Sequence, residues 1–129
     1  MAAARLIDIY ELQEELGSGG MATVYRAVAT RDRPEHGLRA GDLVAIKILH
    51  PHLAKLPEFA RRFAREVRVA TRLVHPGVAR VYHDGLTPEN QPYLVMELAR
   101  GRKLGEVLQR DQPLEANVIL SILRQVAAV

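Results

Sequence analysis

Three groups of residues have types and spacings suited to chemistry on an anion. The first is Leu16-Gly17-Ser18-Gly19-Gly20-Met21-Ala22-Thr23-Val24-Tyr25, with apolar residues on both sides of a dense glycine cluster. Such a segment lets the backbone lie against a ligand with no Cβ in the way. It commonly holds phosphate, although the same composition also makes an ordinary hairpin turn. The second is Lys47, inside the apolar run Leu43-Val44-Ala45-Ile46-Lys47-Ile48-Leu49. A strand period of two places Leu43, Ala45, Lys47 and Leu49 on one side and Val44, Ile46 and Ile48 on the other. The lysine then either sits at an edge with its amine in water or serves a ligand. The third is Glu66. At a helical step of about 100° it shares an arc with Phe59, Phe63, Val67, Ala70 and Val74, while Arg61, Arg65, Arg68 and Arg72 gather on the opposite side. A carboxylate on that stripe needs a partner, and Arg62, one turn back, is the local one.

The elements that must position these groups follow from the surrounding pattern. Tyr10 to Leu16 and Val24 to Ala29 predict two strands flanking the glycines, and Leu43 to Leu49 a third. Between them, Thr30 to Asp42 is charged, rich in turn residues and aperiodic, and predicts a mobile surface loop. After the turn-like His50-Pro51-His52, a helix fits from about Pro57 to Val74, stopped by His75-Pro76-Gly77. Val78 to His83 and Tyr93 to Leu98 predict two more strands, joined by a hairpin loop from Asp84 to Pro92. Ala99-Arg100-Gly101 reads as a connector. Leu104, Val107 and Leu108 mark a short helix, and Pro113 opens a longer one with Val118, Ile119, Ile122, Leu123, Val126 and Val129 at helical spacing.

Composition narrows the setting. With 129 residues and 48% hydrophobic side chains the chain suits one ordinary domain. It has no cysteine, which excludes disulfides and thiolate zinc sites and predicts a cytoplasmic setting. No apolar run is long enough for a membrane span. The net charge of +3 permits an anionic partner without requiring one. The arginine stripe is expected to be a solvated face. No aromatic residues interleave it, so nucleic acid is not the expected partner. His50 and His52 stand in a loop without an acid cluster, and no metal site is expected there.

Taken in order, these elements resemble the amino-terminal lobe of the protein kinase family, closest in wording to bacterial serine/threonine kinases of the eukaryotic type. Gly17 to Tyr25 resembles the glycine-rich loop, Val44-Ala45-Ile46-Lys47 the strand carrying the family's lysine, Glu66 the helix-C glutamate, and Met96-Glu97-Leu98-Ala99 the hinge. The resemblance implies an α+β fold: a five-stranded antiparallel sheet with helix C, followed by two helices of a truncated, mostly helical carboxy-terminal lobe. It divides the chain into an extension (1–9), lobe and hinge (10–99) and the start of the second lobe (100–129). It also implies ATP as ligand and a protein as substrate. Lys47, oriented by Glu66, would meet the α- and β-phosphates, and Gly17, Ser18, Gly19, Gly20, Met21 and Ala22 would cover them. The family usually has glycine where Ala22 stands. Leu16, Val24 and Ala45 would wall the adenine, with Met96 as gatekeeper and the backbone of Glu97 and Ala99 meeting the adenine edge. Ala70 and Val81 match a packed column that links the two lobes.

The family's catalytic H-R-D segment and magnesium-binding D-F-G segment do not occur in the sequence. The resemblance therefore implies the nucleotide-binding portion of a kinase that uses Mg2+ through ligands outside this segment, inactive in isolation. Two other classes compete: a non-catalytic nucleotide-binding or protein-interaction lobe, and a basic nucleic-acid-binding domain. Steep salt dependence of DNA or RNA binding would mark the last.

Overall fold

A computed structural model describes residues 5–101 and 116–127. One antiparallel sheet contains β1 (Leu6–Ile7), β2 (Tyr10–Ser18), β3 (Ala22–Ala29), β4 (Leu43–Leu49), β5 (Val81–Leu86) and β6 (Pro92–Glu97), in the order β1-β2-β3-β4-β6-β5. The helices are α1 (Pro51–Ala54), α2 (Pro57–Arg72) and α3 (Ala116–Ala127). The five expected strands form, and a sixth precedes them. Ile7 pairs with Tyr10 across a tight turn in which Asp8 takes φ 52°, a left-handed conformation that aspartate tolerates, and Ile7 is buried.

The alternation read in β4 decides where the core lies. Val44, Ile46 and Ile48 are buried with Tyr93 and Val95 of β6, Ala27 and Ala29 of β3, and Tyr10 of β2. β2 and β5 are not neighbours in the sheet, yet the Tyr10 hydroxyl reaches His83 of β5 at 2.5 Å, so the sheet curls over this face. On the other face Leu49 and Leu94 pack against Phe63 and Val67 of α2. Pro57 opens α2 at its first helical positions, and Leu73, in extended conformation, ends it after Arg72.

Several expectations shift. The segment from Thr30 to Asp42 is folded rather than featureless. Leu38 is buried in the core, Arg33 and Leu38 form a bridge, a 3-10 turn spans Pro34–His36, and the Asp32 and Asp42 carboxylates accept from the backbone N–H groups of Ala40 and Arg39. β5 runs to Leu86, so Asp84 to Leu86 belong to a strand and not to the hairpin loop. In place of the turn expected at His50-Pro51-His52, His50 precedes α1, and Pro51 and His52 are its first residues. On α2, Phe63 and Val67 are buried, Phe59 and Ala70 are half-buried, and Val74 lies beyond the helix at 95% exposure. In α3 no residue is buried. The short helix expected around Leu104 to Leu108 and the start of the longer one at Pro113 lie outside the described residues, as does Val129.

Candidate functional site

β4 carries Ala45 and Lys47 on the face opposite the closed core. Lys47 stands between Val24 of β3 and Leu94 of β6, and Ala45 between Arg26 and Met96. This places Val24, Ala45 and Met96 around one cleft of about 500 Å³. Leu16 reaches the same cleft from β2, where the pairing with β3 shifts register between Glu15 and Gly17. Such irregularities bend a strand and re-aim its side chains. Glu97, Leu98, Ala99, Arg100 and Gly101 line the cleft where β6 gives way to the connector. Each wall is therefore an apolar side chain from a different strand, and the rim is backbone.

The glycine loop closes the β2–β3 hairpin. Gly17 pairs with Val24 and Ser18 with Thr23. The Gly19 N–H donates to the Ala22 carbonyl at 2.9 Å, and the hydroxyls of Ser18 and Thr23 lie 3.2 Å apart. Neither Gly19 nor Gly20 adopts a left-handed φ, and a Cβ on either would meet nothing within 4 Å. The chain's own packing thus does not require glycine at these two positions. Met21 packs against the Leu49–Phe63–Val67–Leu94 cluster, and Ala22 is buried at the start of β3.

The structure brings Leu16, Val24, Ala45, Met96, Glu97 and Ala99 to one cleft, with Gly17 to Ala22 at the end of the hairpin that supplies Leu16 and Val24. Lys47 is half-buried next to Val24. Glu66 is exposed on α2, and among the described residues no ion pair joins it to Lys47 or to Arg62. Met96 both lines the cleft and packs against the α2 cluster, so it serves as wall and core at once. The Glu97 N–H donates to the Arg80 carbonyl at 2.7 Å, and its carboxylate accepts from the Arg80 N–H at 3.0 Å, which pins the end of β6 to the residue before β5. The backbone of Ala99 makes no hydrogen bond among the described residues.

Sequence reasoning missed Ala79, Leu98, Arg100 and Gly101 as lining residues. Ala79 has no sequence signal, since it reaches the cleft only because β5 is paired beside β6. Gly101, at φ 117°, marks a bend that glycine makes at low cost, within the segment read from the sequence as a connector.

Comparison with known proteins agrees with this architecture. Residues 10–129 match the protein kinase domain. The chain is 36% identical over 130 residues to the probable serine/threonine-protein kinase PknB of Corynebacterium glutamicum, which covers 95% of this chain and 19% of that protein. It is 38% identical over 120 residues to the serine/threonine-protein kinase PknA of Mycobacterium tuberculosis, covering 90% and 26%. The crystal structure of the M. tuberculosis PknI kinase domain superposes with a TM-score of 0.74 at 28% identity, over 99% of this chain and 48% of that one. The chain thus spans about a fifth to a quarter of the two full-length relatives and about half of the solved domain. With a curled antiparallel sheet, one helix packed against it and a cleft lined by the sheet and the connector after β6, the chain belongs to the protein kinase domain family.

Proposed function

We propose that these residues form the ATP-binding portion of a serine/threonine protein kinase whose complete form transfers the γ-phosphate to protein hydroxyls. The observation that carries this reading is the placement of Lys47 two residues beyond Ala45 on one strand face, beside the cleft and next to the glycine hairpin. The cleft fits the base. Leu16, Val24, Ala45 and Met96 offer apolar surface to a flat ring, and the connector backbone at Glu97 and Ala99 offers polar partners to its edge. Backbone N–H groups of the hairpin tip suit phosphate oxygens, and the Lys47 ammonium supplies a point charge for the α- and β-phosphates. In this reading Glu66 partners Lys47 when nucleotide is bound. In the present structure it faces solvent.

Magnesium, in this family, neutralises phosphate charge during transfer. The sequence contains neither H-R-D nor D-F-G, and among the described residues no group of three or more His, Asp or Glu side chains could hold a metal ion. The 129 residues alone are expected to bind ATP weakly and to transfer no phosphate. No described helix is long and apolar enough to cross a membrane.

The test is a nuclear magnetic resonance titration of the chain with ATP and then with AMP. ATP is expected to shift the amides of Leu16, Val24, Ala45, Glu97 and Ala99 together with those of Gly17 to Ala22, and AMP mainly the first set. Lys47→Met is expected to weaken ATP binding by about tenfold or more, the scale of one charge-assisted contact, with the thermal midpoint unchanged. Absence of any shift at millimolar ATP would overturn the reading in favour of a non-catalytic interaction lobe.

A further inference from the structure

The nucleotide reading leaves His50 unused, yet this residue is bound on every side. Its main-chain N–H donates to the Met21 carbonyl at 2.8 Å, and its own carbonyl accepts from the N–H groups of Leu53 and Ala54 at 3.0 and 2.9 Å, which starts α1. Its ring Nε2 lies 2.8 Å from the Gly19 carbonyl oxygen. The ring also stacks on His52, with centroids 5.6 Å apart and planes 10° from parallel. Pro51 follows at the first helical position, so the backbone that presents the ring is fixed by proline and by the α1 turn together.

Two of the three backbone carbonyl contacts that define the hairpin tip therefore come from His50, the third being Gly19 N–H to Ala22. We propose that His50 is a positioning residue that fixes the peptide plane between Gly19 and Gly20. A carbonyl oxygen only accepts, so Nε2 must carry the hydrogen, and this sets the tautomer of a neutral ring. No cis peptide occurs in the described chain, and in a trans peptide the N–H points opposite to the C=O. Holding the Gly19 carbonyl toward His50 therefore turns the Gly20 N–H away from it. That N–H makes no hydrogen bond among the described residues, which leaves it as a donor for a phosphate oxygen. This role rests on the proposed nucleotide site. The contact itself does not.

Amide hydrogen exchange and ATP titration of the 129-residue chain test it, using wild type, His50→Phe, which keeps a ring to stack on His52 without a donor, and His50→Gln, which restores an N–H donor. His50→Phe is expected to speed exchange of the Gly19 amide by about tenfold and to weaken ATP binding by a few-fold, the scale of one net hydrogen bond. His50→Gln is expected to return both toward wild type. The amides of Ile46 and Val95 serve as controls and are expected to keep their protection. Should His50→Phe disturb them, His50→Ala takes its place. Unchanged Gly19 exchange in the donor-less variant, or failure of His50→Gln to differ from it, would overturn the assignment. Faster Gly19 exchange in a chain whose wild type binds no ATP would uphold the His50 contact and remove the nucleotide reading instead.

Discussion

The two faces of β4 are built from adjacent residues and meet opposite ends. Val44, Ile46 and Ile48 enter a core closed by the curl of the sheet, where Tyr10, Tyr93 and Val95 fill the remaining space. Ala45, Lys47 and Leu49 look the other way, where Leu49 is covered by α2, Ala45 lines a cleft and Lys47 is half-buried. At the rim of the closed face even the polar groups are matched. Arg33 pairs with Asp8 at 2.6 Å, the Tyr10 hydroxyl donates to His83 Nε2, and the His36 ring stacks on His83 at 4.6 Å. At the open face Lys47 and Glu66 have no such partners among the described residues. One strand thus separates a closed core from an open cleft by a period of two.

Substitutions can break this division, and the largest effect belongs to the closed face. Ile46→Ala is expected to cost about 2–5 kcal/mol, because a fully buried side chain leaves a cavity its neighbours fill only in part. Urea denaturation measures it. A loss no larger than that of Lys47→Met would show that the two faces do not differ as argued. Gly85→Ala comes next, at about 1–3 kcal/mol, since a Cβ there would stand 2.6 Å from the hydroxyl and 2.7 Å from Cζ of the buried Tyr93 ring. Its thermal midpoint is expected to fall, while Gly85→Ala with Tyr93→Phe, which removes the closest atom, recovers part of the loss.

The smallest effect is a pH dependence from the matched rim. Burial lowers the His83 pKa from its ordinary value, helped by the Arg33 charge and opposed by the bond to the Asp84 carbonyl. The neutral ring accepts at Nε2, where the Tyr10 hydroxyl and an Arg33 N–H both point, and burial pushes the Tyr10 hydroxyl up to about 12. A native pKa below the unfolded one gives stability that is complete above about pH 6.5 and declines as pH falls through the native value. The urea midpoint is expected to be lower at pH 5 than at pH 7.5, with a smaller difference in His83→Gln. An equal difference in both proteins would assign the acid sensitivity to other groups.

Local pattern carried most of the architecture. The alternation in Leu43 to Leu49 named the two faces before any contact was known, and the glycine run located the β2–β3 hairpin. Pro57 and the Phe63–Val67 spacing placed α2 and its buried side. The same kind of reading failed at Thr30 to Asp42, where charge and turn residues hid the buried Leu38 and the hydrogen bonds and ion pair around it. It also put Glu66 on the apolar stripe, whereas the helix turns that residue to solvent and buries Val67 beside it.

The sequence by itself determined which residues alternate, where chains turn and which family motifs stand in order, because periodicity and backbone preference act between near neighbours. Only the tertiary structure decided that Ala79 reaches the cleft, that Tyr10 meets His83 across 73 positions, and that His50 holds Gly19 from 31 residues away. Those contacts depend on how far the sheet curls and on where α1 begins, and both are set by packing between distant segments that no local pattern encodes.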